Sequence, residues 1–301
     1  MSSALSPINI STSPAFFAWR PAAMLRVAGT DAATFLQGQF TNDLRGLAEG
    51  PSIYGLWLTV KGKVAADSFL AKGGSTDEFW ITSYKSPAAA IRGRLESHII
   101  ADDVVIEDLT SEWDAVSLFG DVAGIAPDTG KIGFVFAGRR ARPANREWIF
   151  PVTQRDEVRR QLARFPELDP DTVERGRIRA GIALVPVDAG PGDLPNEAGL
   201  EAEAISYQKG CYLGQEVMAR LKSMGQVRRR LVRVHAAINR MPALPAPLYS
   251  ARAQAGELRS AVWDEGGFIG LAMISRLKVE AGAQLALAPG GATVIRLLEN
   301  P

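Results

Sequence analysis

Strand and helix patterns alternate irregularly along the N-terminal third of the chain. Several runs of apolar and β-branched residues have strand character and are bounded by turn-forming residues. The predicted strands cover residues 54–60, 63–71, 78–82, 104–109 and 113–119. Thr30 or Asp31 caps a first predicted helix, and Ser86 followed by Pro87 starts a second, which reaches about His98. This order favours open α+β layers over a doubly wound parallel sheet.

The rest of the chain divides into a helical part, an acidic loop and a strand-rich end. Helices are predicted over residues 154–164 and 172–183. Residues 186–204 hold three prolines, three glycines and five acids without a base, which predicts a loop. After Gly225, short strands between Gly/Pro turns are predicted at 227–235, 258–263, 268–274, 284–287 and 293–297. They indicate a separate C-terminal antiparallel barrel or sandwich.

Composition indicates an ordinary globular protein and no particular partner. A chain of 301 residues is long enough for two or three subdomains. It is 47% hydrophobic and 22% charged, with a formal net charge of +1, so the overall charge favours neither nucleic acid nor membrane. The sequence contains no apolar run long enough to span a membrane, and we expect no membrane association.

The N-terminus and the cysteine count bear on location and on metal chemistry. Residues 1–14 are predicted to form a disordered tail, because Pro7 and Pro14 would break an amphipathic targeting helix. The single cysteine fits a reducing compartment, and we expect a cytoplasmic protein. One cysteine forms neither an internal disulfide nor a cysteine-only metal site, and no metal-ligand spacing occurs elsewhere. No metal site is therefore predicted.

The lone cysteine, Cys211, lies in the segment KGCYLGQEVMAR, residues 209–220. If a helix begins near Leu213, the thiol lies just ahead of its N-terminus and two residues from Lys209, and both features favour a thiolate. Cys211 and Lys209 are accordingly the candidate catalytic residues. The alternative is a small buried hydrophobic side chain, which is common for free cysteine. A cysteine-histidine hydrolase has little support, because neither His98 nor His235 shares a motif with Cys211.

Motifs across most of the chain carry a family resemblance. KGCYLGQEVMAR closely resembles the signature of the YgfZ family of folate-binding proteins, in the superfamily of the glycine-cleavage T-protein, an aminomethyltransferase. Further segments are similar to the family's motifs in the same order: VAGTDAATFLQGQFTNDL (27–44), KGKVAADSFL (61–70), RGRIRAGIAL (175–184), LPNEAGLEAEAISYQKGCYLGQE (194–216) and FIGLAMISR (268–276). Ordered matches over this length are more specific than a single motif.

The resemblance implies an α+β fold with several parts. Residues 15–225 would form a T-protein-like, folate-binding body of two intertwined α+β subdomains around a central cavity, and residues 226–301 an antiparallel β-barrel. The cavity would bind tetrahydrofolate or a derivative. Glu197 matches the loop glutamate of the superfamily that accepts the two adjacent N–H donors of a pterin. From the residues alone, Glu197 is as well explained as a solvated acid of an acidic loop.

The other candidate cofactor-binding residues are Asn42, Asp67, Tyr207 and Arg220. Asn42 either touches the ligand or orders the loop after the first helix, and Tyr207 either stacks on folate or packs in the core. Arg220 begins a stretch up to Arg233 with six bases and no acid. That stretch faces a folate glutamate tail or tRNA phosphates, or else is a solvated strand face.

One departure from the superfamily pattern bears on activity. The aminomethyltransferase branch resembles GG-x-x-DD where this chain has Lys61 to Asp67, and Ala66 replaces the first acid of the pair. The change argues against a classical aminomethyltransferase. The resemblance instead implies an accessory protein for iron-sulfur cluster assembly or repair and for iron-sulfur-dependent tRNA methylthiolation.

Two alternatives from other classes stay open. One is a folate-dependent aminomethyl or one-carbon transferase, and the other is an interaction module with a vestigial pocket. In the favoured interpretation the partners are folate and, transiently, iron-sulfur assembly or client proteins. Contact with tRNA is compatible with this interpretation but not required. A monomer is the simplest expectation from the superfamily.

Overall fold

The computed structural model describes residues 14–45, 47, 52–120, 133–280 and 282–298, with only the backbone described at Met224. The predicted tail, residues 1–14, lies outside these ranges except for Pro14. The strands are β1 Ala15–Trp19, β2 Ala23–Ala28, β3 Ser52–Leu58, β4 Val64–Lys72, β5 Glu78–Ser83, β6 Val105–Asp108, β7 Trp113–Phe119, β8 Phe134–Ala137, β9 Arg146–Pro151, β10 Arg229–Ala236, β11 Ala246–Ser250, β12 Ala253–Asp264, β13 Gly267–Ser275, β14 Gln284–Ala286 and β15 Thr293–Leu297. The α-helices are α1 Ala32–Gln39, α2 Ala88–Glu96, α3 Arg155–Leu162, α4 Pro170–Arg179, α5 Glu201–Ala204 and α6 Gln215–Met224.

Two antiparallel sheets form the body of the protein. One has the strand order β3-β4-β5-β2-β6, and the other has the order β1-β7-β9-β8. Helices α1 and α2 pack on the first sheet through buried side chains such as Leu36 and Ile91, and α3 packs on the second through Val158 and Leu162. Because β1 and β2 are consecutive in the chain but belong to different sheets, the two parts of the body are interleaved.

The C-terminal strands close into a six-stranded barrel of order β10-β13-β12-β11-β14-β15, in which β15 pairs back with β10. Aliphatic side chains such as Val234, Leu258 and Ile274 fill its interior. Helix α4 fixes the body to the barrel, since Ile178 packs on barrel residues. Buried Arg177 also bonds Asp188 at 2.6 Å and Ser260 at 3.1 Å. The expectation of a C-terminal antiparallel barrel is confirmed.

Several predicted boundaries differ from the structure, among them those of one helix and one loop. The helix predicted over 172–183 begins at Pro170, because Asp169 accepts the Thr172 backbone N–H at 2.8 Å and caps it. It ends at Arg179, shortly before Gly181, whose φ of +67° is left-handed. The segment 186–204, predicted as a loop throughout, contains a 3-10 turn at Pro195–Glu197 and the short helix α5.

No helix in the described ranges is both long enough and apolar enough to cross a membrane.

Candidate functional site

Two motif-bearing segments converge on the signature segment 209–220. The backbone N–H of Leu213 donates to Gly38 O at 3.1 Å, and that of Ser206 donates to Thr41 O at 3.0 Å. The ammonium of Lys209 donates to Phe40 O and to Asn42 O. The segment 38–42, which includes the end of α1, is therefore fixed along the signature by main-chain bonds and by one buried lysine.

The turn between β3 and β4 approaches the start of α6 through two glycines. Gly214 precedes α6 with φ +87°, and a Cβ added there would lie 2.8 Å from Thr59 O. Gly62 has φ +67°, and a Cβ there would lie 2.8 Å from the Cβ of Val217. Both positions demand a left-handed backbone and leave no room for a side chain. Gly62 in KGK and Gly214 in YLGQE thus allow these two motifs to come into close contact.

Cys211 is exposed, at the tip of this anchored segment. The alternative of a buried hydrophobic cysteine is therefore wrong. Lys209, two residues away, is only 4% exposed and directs its ammonium at the carbonyls of Phe40 and Asn42. Burial lowers the pKa of Lys209 to about 8. The contacts of Lys209 fasten the loop, and a catalytic role for Lys209 or Cys211 stays a prediction.

Glu197 is buried where the body meets the barrel, so the alternative of a solvated acid is wrong. Its carboxylate accepts two bonds from Arg229 on β10, Nε to Oε1 at 3.0 Å and Nη2 to Oε2 at 2.7 Å, and one from the Leu194 backbone N–H at 2.8 Å. Arg229 also pairs with Asp193 at 2.9 Å. In this structure the Arg229 guanidinium thus binds the Glu197 carboxylate in the bidentate geometry that is also expected for a pterin.

A group of buried polar atoms around Tyr207 has no hydrogen-bond partner among the described residues. These atoms are Asn196 Oδ1, Glu201 Oε2 and the Tyr212 hydroxyl. Tyr207 interacts electrostatically with Asn196 and Glu201, and it contributes to the raised pKa of Tyr212. Burial raises the pKa of Glu201 and of Tyr212. We name Asn196, Glu201 and Tyr212 the open cluster.

The open cluster presents hydrogen-bonding atoms of the kinds that complement a pterin. Buried polar atoms without a partner are uncommon in folded proteins and usually require an explanation. Two oxygens of the cluster accept hydrogen bonds, and the Tyr212 hydroxyl both donates and accepts. A pterin offers N–H donors and ring acceptors, which match this set. The Tyr207 ring is half-buried beside it, with the Lys222 ammonium 4.2 Å from the ring centroid.

Asp67 lies in a second buried cluster, in which its carboxylate is fully satisfied. It accepts the Tyr54 hydroxyl at 3.0 Å, the Ser83 hydroxyl at 2.9 Å and the Ser86 hydroxyl at 2.6 Å. Burial raises the pKa of Asp67, while these hydroxyls and the charge of Arg139 oppose the rise. We name Asp67 and its three hydroxyl partners the closed cluster.

Asn42 and Arg220 have different surroundings. The Asn42 amide donates to Tyr54 O at 2.9 Å and to Glu203 O at 3.1 Å, and its oxygen accepts the Asp43 backbone N–H. These bonds order the loop after α1, as the alternative for Asn42 expected. Arg220 is exposed on α6. Arg228 and Arg230, which follow α6 in the basic stretch, are also exposed. A ligand contact by Asn42, Asp67, Tyr207 or Arg220 stays a prediction.

Comparison with known proteins finds a matching family model and a solved structure with a similar fold. Residues 11–124 match the family model of the GCVT N-terminal domain. The solved structure of glycine cleavage system aminomethyltransferase T from Bartonella henselae superposes with a TM-score of 0.76, covering 95% of this chain and 85% of that one at 17% identity. The N-terminal part of the chain is thus similar to the GCVT N-terminal domain, and the fold resembles that of aminomethyltransferase T. The predicted resemblance and the α+β fold are confirmed.

The curated relatives of this chain carry two names. The mitochondrial iron-sulfur cluster assembly factor IBA57 homolog of Neurospora crassa is 25% identical over 284 residues, which are 90% of this chain but 61% of that relative. The tRNA-modifying protein YgfZ of Vibrio vulnificus is 27% identical over 243 residues, 78% of this chain and 73% of the relative. The expected resemblance to YgfZ is confirmed by these relatives.

Sequence reasoning missed the open cluster and the role of Arg229. Asn196 lies between Leu194 and Leu200, which are half-buried and buried, and Glu201 directly follows Leu200 in a stretch that reads as a polar loop. The apolar spacing in LPNEAGLE was the available signal, because it indicates that part of this loop faces a core. In the sequence, Arg229 looked like one more base of the stretch that starts at Arg220.

Proposed function

We propose that this chain is a tetrahydrofolate-binding accessory protein for the assembly or repair of iron-sulfur clusters, including those of enzymes that methylthiolate tRNA. The observation that carries the proposal is the open cluster beside Glu197, because it offers buried polar atoms that a bound ligand would satisfy. Folate binding is general in the superfamily. The names of the IBA57 and YgfZ relatives support the cluster-assembly and tRNA-modification parts.

In this proposal Glu197 and the open cluster hold the pterin end of the cofactor, and Tyr207 stacks against it. Asn42 and Asp67 keep the surrounding loops in place, and Arg220 attracts the anionic tail. Bound tetrahydrofolate supplies an acceptor for a one-carbon unit. Cys211 contributes an exposed thiol to a transient exchange with a partner protein, since one thiolate cannot hold a cluster alone.

The transferase alternative is less well supported. Ala66 replaces one acid of the superfamily pair, and the remaining acid, Asp67, is buried and bonded to three hydroxyls. A carboxylate in this setting is poorly placed to act on a ligand. We further propose a cytoplasmic monomer with transient iron-sulfur partners. The mitochondrial location printed in the names of the IBA57 relatives is said of those proteins alone.

Calorimetric titration with tetrahydrofolate tests the proposal. We expect saturable binding that weakens at least roughly tenfold in Glu197→Ala, the order of effect for losing a charge-assisted bond. Arg229→Ala separates two roles of Glu197, because it frees the carboxylate and should preserve or strengthen binding. Glu216→Ala, which removes an exposed acid on α6, is the matched control. Absence of tetrahydrofolate binding by the wild-type protein would contradict the proposal.

A second experiment addresses Cys211 in cells. In a strain that lacks the protein, expression of Cys211→Ser should leave iron-sulfur enzyme activities and tRNA methylthiolation below those restored by the wild type. Folded Cys211→Ser should still bind tetrahydrofolate, because the thiol is exposed and is not one of the buried polar atoms assigned to the ligand. Full restoration by Cys211→Ser would remove the thiol from the proposed mechanism while leaving folate binding intact.

A further inference from the structure

A cavity lies between α3 and the sheet that carries β1 and β7. Its lining residues are distant in sequence from the signature segment. Its volume is about 370 Å³, within the range of about 300–1,000 Å³ that small-molecule sites occupy. The segment after α3 closes one end of it, because Phe16 N donates to Pro166 O at 3.1 Å and Leu168 N to Phe16 O at 2.7 Å. None of the residues assigned to folate or to the thiol lines it.

The floor of this cavity is apolar. It is made by Phe16, Val116, Phe150, Val158 and Leu162. The last four are at most 4% exposed and belong to the core between α3 and the sheet. The cavity is therefore an opening into a hydrophobic core and would shield an apolar ligand from water.

The rim of the cavity carries an excess of positive charge. Three arginines, Arg20, Arg155 and Arg159, line it together with the acids Asp114 and Glu167. Asp114 is shared, since it accepts Arg155 at 2.6 Å and lies 3.3 Å from Arg20. Arg159 is exposed and makes no ion pair within the described ranges. One guanidinium at the rim is therefore uncommitted and open to an anion.

We propose that this cavity binds a small free carboxylic acid with an apolar body. The body lies on the aliphatic and aromatic floor, and the carboxylate meets Arg159 at the rim. Arg159 offers parallel N–H donors that match a carboxylate, and Arg155 and Arg20, neutralised in part by Asp114, add to the local positive potential. This site is separate from the proposed folate function and does not depend on it.

Titration of the full-length protein with octanoate tests the site. We expect saturable binding of one octanoate per chain. Hexanoate should bind roughly tenfold more weakly, because it buries two methylenes fewer. Octan-1-ol should bind roughly tenfold more weakly because it lacks the charge. Binding should also shift the NMR signal of the Trp19 indole N–H, since this ring lines the cavity and donates to Glu147.

Three variants locate the binding. Arg159→Gln should weaken octanoate roughly tenfold, and Ala18→Leu, which adds bulk at a lining position, should abolish it. Arg160→Gln is the matched control, because Arg160 is on the same helix but pairs with Glu157 and does not line the cavity. The proposal is overturned if the wild type shows no saturable binding, or if Arg159→Gln and Ala18→Leu both bind octanoate as the wild type does.

Discussion

The closed cluster around Asp67 is buried in the body, whereas the residues of the open cluster around Tyr207 are buried or half-buried, and the two clusters differ in whether their polar atoms have partners. Asp67 accepts three hydroxyls, from Tyr54, Ser83 and Ser86. In the open cluster, Asn196, Glu201 and Tyr212 each leave an atom without a partner among the described residues. The first arrangement stabilises the fold, whereas the second costs about 1–3 kcal/mol for each unsatisfied group.

In the proposed function, this difference separates structural from ligand-binding polar groups within one protein. A bound molecule would then complete the hydrogen bonds of the open cluster, whose buried polar atoms lack partners among the described residues. Asp67 requires no such molecule. Buried acids near a superfamily motif are therefore not equivalent, and their partners decide which of them face a ligand.

The largest expected effect is on the closed cluster. Asp67→Ala removes the common acceptor of three hydroxyls, and we expect the free energy of unfolding to fall by about 3 kcal/mol. Urea denaturation followed by circular dichroism measures this change. Asp77→Ala, at an exposed acid of the neighbouring turn, should change stability by less than about 0.5 kcal/mol. A loss below about 1 kcal/mol for Asp67→Ala would break the distinction between the two clusters.

Next in size is the glycine contact that holds the signature beside the open cluster. Gly214→Ala combines a left-handed φ with a Cβ 2.8 Å from Thr59 O, and should lower the free energy of unfolding by roughly 2–3 kcal/mol. Gly225→Ala is the matched control, because Gly225 is also left-handed but has open space around it. It should lower stability by only about 1 kcal/mol. Equal losses in the same urea assay would show that close packing at Gly214 is unimportant.

A pair of Tyr→Phe variants compares the clusters directly. Tyr54→Phe removes a hydroxyl that donates to Asp67, so stability should fall by about 1–2 kcal/mol. Tyr212→Phe removes a buried hydroxyl without a partner, so stability should be unchanged or rise by up to about 1 kcal/mol. Tetrahydrofolate affinity should weaken roughly fivefold in Tyr212→Phe only. Thermal unfolding and calorimetry together measure both effects, and a reversed order of stabilities would contradict the assignment.

A further prediction concerns pH and applies only to alkaline conditions. The folded-state pKa of Lys209, about 8, lies below its ordinary value of 10.5 because of burial. Between these values the unfolded chain binds more protons than the folded chain, so the free energy of unfolding should rise with pH over this window. Urea denaturation at a series of pH values checks the slope. In Lys209→Met this contribution should disappear, and an unchanged slope would mean that another group causes it.

Elements with strong local signals could be predicted from the sequence. Strand β7 was predicted with both of its ends. The Asp169-Pro170 cap is a local signal for the start of α4, although the helix was predicted to begin two residues later, at Thr172. Strands β1, β2, β8, β9 and β11 were missed. Strand β1 is short and pairs with β7 about a hundred residues later, and pairing between distant segments leaves little local pattern. Around β8 and β9 the arginines that line the body interrupt the apolar alternation.

The site was predictable only in part, for a similar reason. Glu197 and Lys209 stood out because charged residues in motif positions suggest chemistry. The sequence could not show that Lys209 reaches the carbonyls of Phe40 and Asn42, or that Arg229 occupies Glu197, since both contacts join distant segments. Nor could it show which polar atoms lack partners, because that depends on the packing of every neighbour.

The exposed position of Cys211 has a practical consequence. It is the chain's single cysteine, and the loop that carries it is fastened on both sides by main-chain bonds and by Lys209. A maleimide dye would therefore attach at one defined place without engineering. Its fluorescence would register the docking of another protein at this loop, so the native molecule already contains the attachment point for its own binding sensor.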